Sequence, residues 1–280
     1  MINKQYKFGY IVVIALCIAA MAAGAKYDWI ITDTLYNPQN GFGMFFEAAS
    51  WIPIYAFIPV LGACNMVRNK NNMTTFTAGA FMLIVSTCVF AYMICDHYVA
   101  RGFARKVNPY LCGIAGGIIS AVLFLAVRSL KRSVIRKMQA VCAFGTIYMI
   151  SYLVVIFALK MVFGRDRYED IITGGVYEFA EWFKPVFFSD GSSFPSGHTS
   201  AAMGIVILLL LPFLFKAFKN MKWPLFIGCY IYAGLTAVSR LIMGRHFLSD
   251  TAAAILIMTV IFIVLTPKFE KTYKKELLKE

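Results

Sequence analysis

The sequence predicts an all-α fold, a polytopic transmembrane helical bundle of about eight spans, and three observations carry that reading. The 280 residues are 60% hydrophobic and only 15% charged, with a mean hydropathy of +0.70, whereas an ordinary soluble domain is about half apolar and a quarter charged. The apolar residues fall into runs that approach the ~20 residues a spanning helix needs. Basic residues recur between alternate runs, as loops on one side of a bilayer do. Lipid offers no partner for backbone N–H and C=O groups, so each run must be helical. A closed barrel would read as short alternating strands, which the sequence lacks.

The runs cover residues 9–25, 51–67, 73–97, 111–127, 139–162, 197–215, 223–243 and 248–266. The first sits in "MINKQYKFGYIVVIALCIAAMAAGAK". Ala23-Gly24-Ala25 gives it the outline of a secretory signal peptide, but we read it as a retained helix. The loop 26–50 then mixes aromatics with acids and is expected along the outer interface, as is the similar segment 168–194; both could cover or guide a lipid. Gly113 and Gly117 have the small-xxx-small spacing that lets helices approach closely. The seven cysteines lack CxxC spacing and read as packing residues rather than a disulfide or zinc framework, although Cys95 and Cys112 fall near one face.

Seventeen of the 27 basic residues lie at Lys4 and Lys7, at Arg68 and Lys70, from Arg128 to Lys137, from Lys216 to Lys222, and in the tail "PKFEKTYKKELLKE". The positive-inside rule assigns these loops to the cytoplasm and the loops 26–50, 98–110, 163–196 and 244–247 to the outside. The loop "ARGFARKVNPY" fits poorly, with Arg101, Arg105 and Lys106 outward. The net charge of +13 reads as anchoring to anionic headgroups; nucleic-acid binding would need a continuous patch on a soluble face.

Ionisable residues at the outward ends of the later helices are functional candidates. Lys160 and Arg167, in "LKMVFGRDRY", would share a face if their helix continued, being two turns apart, with Arg165 nearby. Pro195 and Ser196 suit the start of a helix whose free N–H groups favour an anion. Gly197 lets a ligand approach the backbone, and His198 stands beside it. In "SRLIMGRHFLSD", His246 and Asp250 have the i,i+4 spacing that joins side chains on a helix. An aspartate on one ring nitrogen leaves the other as a nucleophile. Cations, a helix N-terminus, two histidines and an aspartate together suit phosphoryl transfer, which is chiefly positioning and charge neutralisation. There is no Walker-type loop and no carboxylate cluster for a two-metal mechanism.

These residues resemble the signature of the type 2 phosphatidic acid phosphatase (PAP2) superfamily: K-x6-R-P, P-S-G-H and S-R-x5-H-x3-D. They appear here as Lys160 to Arg167, Pro195 to His198, and Ser239-Arg240 to His246 and Asp250. The first block departs from the pattern, with Tyr168 in place of proline. The resemblance implies an accessory N-terminal part over 1–135 and a PAP2-like catalytic core over 136–280. It further implies that His246 attacks phosphorus, Asp250 orients it, and His198 protonates the leaving oxygen and then activates water. Lys160, Arg167, Ser196, Gly197 and Arg240 would hold the phosphoryl oxygens. Ser239 belongs to the third block without an assigned contact, Arg245 and Asp166 lie outside the motif, and His97 reads as structural.

The expected function is a metal-independent, cofactor-free lipid phosphate or diphosphate phosphatase. Its partners would be the bilayer and a membrane lipid phosphate, with no nucleic acid and no obligate protein partner. The setting would be a plasma (inner) membrane, with the site facing the outside or periplasm. A sugar-phosphate phosphatase, a phosphotransferase, and a lipid-binding or transport protein with a degenerate site are the alternatives.

Overall fold

The computed structural model describes residues 2–277 apart from 101, 103, 175–177 and 188. Arg101 of the poorly fitting loop and residues 278–280 of the Lys-rich tail lie outside the described residues, as do the side chains from Lys274 onward. The described residues form twelve α-helices and no strand. They are α1 (Ile2–Leu35), α2 (Gly41–Ala49), α3 (Ile52–Tyr55), α4 (Phe57–Arg68), α5 (Met73–Ala100), α6 (Pro109–Arg128), α7 (Arg132–Phe163), α8 (Tyr168–Gly174), α9 (Gly197–Ala202), α10 (Leu211–Leu214), α11 (Lys222–Ile242) and α12 (Leu248–Leu277). Among them are eight segments long and apolar enough to cross a membrane, one for each run read from the sequence. The chain is a multi-pass helical membrane protein.

Two compact units divide it: residues 2–51 with 148–276, and 52–147 with Leu277. The units do not follow the expected boundary at 135/136. Residues 2–51 pack with the C-terminal helices because α1 carries aromatic and acidic side chains that find partners there. Tyr6 stacks on Phe226 at 5.4 Å between centroids, and Asp28 pairs with Arg165 at 3.0 Å.

Three expectations are corrected. The loop after the first span is mostly helix: α1 runs on to Leu35, and α2 is capped by Asn40, whose Oδ1 accepts from Phe42 N (3.0 Å) and Gly43 N (3.2 Å). The sixth span is not one α-helix, since Met203–Leu210 is 3₁₀. Pro212 has no N–H to give the Leu208 carbonyl, and that carbonyl instead accepts from Leu211 N, one residue tighter. The third concerns Gly113 and Gly117, which face open space. The glycine that α6 packs on α5 is Gly116, where a Cβ would lie 2.6 Å from Cys88 Cα. Gly62 and Gly79 make the α4–α5 crossing in the same way.

The seven cysteines are all free. The thiols of Cys95 and Cys112 are hydrogen-bonded, not bridged.

The segment after α8 is tied to the helices rather than merely anchored at an interface. Trp182 Nε1 donates to Met21 O of α1 (2.9 Å), and Val186 N to Phe163 O (3.2 Å).

Candidate active site

Every candidate residue lies in the unit formed by 2–51 and 148–276. The first block does not sit on a continuous helix. α7 ends at Phe163, and Gly164 adopts a left-handed φ of +44°, the conformation that closes helices with glycine. Lys160 and Arg167 meet through Ser192 instead: Lys160 Nζ donates to its carbonyl and Arg167 Nη2 to its Oγ at 2.8 Å. The Nε of Arg167 is buried and finds no protein acceptor.

Arg165, between them in sequence, points elsewhere. Only 2% exposed, it donates from Nη1 to Asp250 Oδ1 (2.6 Å) and Ser249 Oγ (2.9 Å), and from Nη2 to Asp28 Oδ2 (3.0 Å). Its guanidinium also lies 4.2 Å from the centroid of Phe247. One buried cation therefore holds two buried carboxylates, one of them from α1. Ionised groups are retained at such depth only when paired and hydrogen-bonded.

Asp250 and His246 are not on one helix face as the spacing suggested. α12 begins at Leu248, so His246 precedes it. Asp250 Oδ2 accepts from Phe247 N at 2.8 Å, the return arm of a capping box. His246 Nδ1 lies 3.8 Å from Asp250 Oδ2, beyond a normal hydrogen bond. Ser193 fills the gap: its Oγ donates to Asp250 Oδ2 at 2.6 Å and lies 3.5 Å from His246 Nδ1. With its proton given to Asp250, Ser193 can only accept from Nδ1–H, which leaves the lone pair on Nε2. Burial pushes the His246 imidazole down to about 3; Asp250 opposes this, while Lys160 and Arg167 add to it. His246 is thus neutral at neutral pH.

The P-S-G-H block opens α9. Ser196 is its N-cap, with Oγ accepting from Thr199 N at 3.3 Å, and Ser196 N bonds Asp250 O at 3.1 Å. A Cβ built on Gly197 would meet only Lys160 Cε and Tyr152 Oη, each at 3.9 Å, so the backbone there is open towards Lys160. His198 sits against Trp51, with ring centroids 4.8 Å apart, and its Nε2 is 3.3 Å from Glu47 Oε1.

Glu47 also takes Arg240. Arg240 is fully buried; Nη1 donates to Glu47 Oε2 at 2.6 Å and Nη2 to Gly43 O at 2.8 Å. α2 reaches this position because Gly43 has no side chain: a Cβ would lie 2.6 Å from Met243 Cγ. Ser239 turns back to Thr236 O (2.6 Å) and steadies Arg240 Nε from 3.1 Å. Arg245 pairs with Glu169, Asp166 accepts from Glu178 N, and His97 lies on α5 in the other unit.

Tyr168 explains the departure from K-x6-R-P. It opens α8, where proline would also fit, but its phenol donates to Asp33 Oδ1 of α1 at 2.5 Å. Its ring packs on Trp29 and Tyr36, centroids 5.0 and 5.1 Å away.

Sequence reasoning missed Glu47, Asp28 and Ser193, and left Arg165 as a bystander. An acid flanked on both sides by apolar residues, in a loop between two spans, was the available signal for Asp28 and Glu47. Among the described residues, no three His, Cys, Asp or Glu side chains gather as a metal site requires.

The fold and this constellation define a helical membrane protein with a buried cluster of cations and carboxylates around His246. Residues 140–274 match the family model of the PAP2 superfamily, a span that holds all three motif blocks but neither Asp28 nor Glu47. No curated protein and no solved structure matches the chain.

Proposed function

We propose that the protein is an integral-membrane lipid phosphate phosphatase that works through a phosphohistidine on His246. The single observation that carries this reading is the Ser193 hydroxyl placed between His246 Nδ1 and Asp250 Oδ2, in a PAP2-matched span that also holds Lys160 and Arg167.

In the first half-reaction His246 Nε2 attacks phosphorus, and the bond from phosphorus to the leaving oxygen breaks. His198 gives that oxygen its proton. The charge developing on the equatorial oxygens is met by Lys160, Arg167, the Ser196 cap and the open Gly197 backbone, while Arg240 holds Glu47 beside His198. As Nε2 gains phosphorus the imidazole ring becomes cationic, and Asp250 stabilises it across Ser193. In the second half-reaction water attacks phosphorus, His198 takes its proton, the P–N bond breaks and His246 is regenerated. Microscopic reversibility makes one histidine serve as acid and then base.

A lipid substrate fits a site at the ends of membrane-spanning helices, and the positive-inside reading favours the extracytoplasmic face. The test is inorganic phosphate release by purified protein in micelles. The panel is phosphatidic acid, phosphatidylglycerol phosphate, a polyprenyl diphosphate and glucose 6-phosphate, with His246→Ala as blank. Release from a lipid, lost in the variant, is expected. Release from the sugar phosphate alone contradicts the lipid assignment.

A further inference from the structure

Within the unit formed by residues 52–147, α5 and α6 cross along a seam that ends in two cysteines. The buried residues of α5 include Gly79, Leu83 and Thr87, and those of α6 include Cys112, Gly116 and Ser120, each set stepping by four. Rows at this spacing are the ridges that interlock where helices pack. Thr87 Oγ1 lies 2.7 Å from Ser120 Oγ, and Gly116 lets α6 settle against Cys88 of α5. The helices run antiparallel, so a contact recurs where one residue number rises as the other falls. Two steps of four lead from Thr87 to Cys95, and two steps back lead from Ser120 to Cys112. The thiols of Cys95 and Cys112 accordingly meet in a hydrogen bond, which repeats the Thr87–Ser120 contact further along the seam.

The pair is reachable as well as close. Cys95 is partly exposed and Cys112 is 4% exposed, so one sulfur can be attacked from outside while the other waits beneath it. Cys95 stands five residues before the end of α5 at Ala100, and Cys112 three after the start of α6 at Pro109. Helical rise puts them about 8 and 5 Å inside those ends, near the headgroups rather than the centre of the hydrocarbon. The connection 101–108 lies on the face that the positive-inside reading assigns to the outside, where disulfides persist. Cys88, also partly exposed, lies with its Sγ 3.7 Å from Gly113 O.

We propose that Cys95 and Cys112 are a redox pair that closes to an intramolecular disulfide between α5 and α6, independently of the site on His246. The oxidant is itself a disulfide, of a small thiol or of a dithiol protein. The Cys95 thiolate attacks one of its sulfurs, its S–S bond breaks, and the displaced thiolate takes up the proton that Cys95 lost. The Cys112 thiolate then attacks the Cys95 sulfur of the mixed disulfide, and the second thiol leaves with the proton of Cys112. Two electrons pass from the cysteine pair to the oxidant. The bridge staples the α5–α6 crossing by restricting the unfolded chain.

The test is thiol counting on the full chain in detergent. Reduced protein is treated with glutathione disulfide, quenched in acid, denatured, alkylated with N-ethylmaleimide and weighed intact and as peptides. Of the seven cysteines, two should escape alkylation, with the peptides holding Cys95 and Cys112 joined. Cys112→Ser should instead carry glutathione on Cys95, since the first attack proceeds and the second has no thiol. Cys95→Ser should react at least about tenfold more slowly, because the thiol it leaves is buried. Cys88→Ser should still lose two thiols. Circular dichroism confirms that each variant is folded. The oxidised protein should melt above the reduced one, a gap absent from Cys112→Ser; equal melting would overturn the stapling role. A bridge from Cys88, glutathione that stays on Cys95 in the parent chain, or no thiol lost in any variant would overturn the pair itself.

Discussion

The carboxylate of Glu47 lies between His198 and Arg240, 3.3 Å from His198 Nε2 and 2.6 Å from Arg240 Nη1. This acid from α2 ties the general acid of the proposed reaction to a buried cation. Both partners belong to the PAP2-matched span, and Glu47 does not.

If Glu47 positions His198 as the proton donor, its loss should matter most when the leaving group needs a proton. Glu47→Gln is expected to lower kcat/KM about tenfold or more for an alkyl phosphate, with a smaller loss for p-nitrophenyl phosphate. His198→Ala should show the same asymmetry with a larger loss, on the order of 10²–10⁴ for the alkyl phosphate. A purely structural role would lower both substrates equally.

Arg165 holds Asp28 and Asp250 together at 3.0 and 2.6 Å. Removing one partner of a buried ion pair leaves a charge uncompensated, at a cost of about 3–5 kcal/mol. Arg165→Ala is therefore expected to lower thermal stability in detergent sharply. Asp28→Asn, which spares Asp250, should be milder and retain measurable turnover. An Arg165→Ala protein that melts with wild type would show that the buried network is not what joins α1 to α12.

His246 gives a pH dependence whose sign is fixed. Its imidazole is held down to about 3 in the folded chain and titrates near 6.5 when unfolded. Between those values the unfolded state binds the extra proton, so this contribution to stability is fully present above about pH 6.5 and is lost as pH falls towards 3. Melting temperatures from pH 7 to 4 should fall more steeply for wild type than for His246→Gln. Parallel profiles would contradict the buried, neutral state of this histidine.

Tyr168 replaces the proline of the family pattern and binds Asp33 at 2.5 Å. Tyr168→Phe should cost about 1.5–3 kcal/mol, the range for a hydrogen bond to a charged acceptor. Tyr168→Pro should cost at least as much, because it also loses the contacts with Trp29 and Tyr36, although proline suits the first position of α8. Neither change should move kcat more than about threefold, since the Tyr168 side chain bonds Asp33 and packs on Trp29 and Tyr36; a collapse of kcat with stability intact would give Tyr168 a part in the chemistry.

Hydropathy made the eight spans legible, because a lipid-facing helix must be apolar along its whole length. The three blocks were legible because Lys160, His198 and His246 are costly in an apolar setting and come with fixed spacings. Their local geometry was not. The reading of Lys160 with Arg167 assumed a helix that Gly164 stops, and the reading of His246 with Asp250 assumed one that starts only at Leu248. Ser193, which links that pair, is one polar residue among several in its loop. Glu47 and Asp28 meet their partners 193 and 137 residues away, and no local period encodes such a distance. The small-xxx-small pattern failed for a similar reason: spacing finds a stripe of glycines, but which stripe faces α5 depends on how α6 is rotated.

The most direct test of the central claim is to trap the intermediate. Purified protein would be mixed briefly with a ³²P-labelled lipid phosphate, quenched in alkali, and examined for label on the chain. Phosphohistidine survives alkali and is lost in acid. Wild type should carry acid-labile label that maps to the peptide holding His246, and His246→Ala should carry none. Turnover without any labelled protein, or label that persists in His246→Ala, would contradict the mechanism.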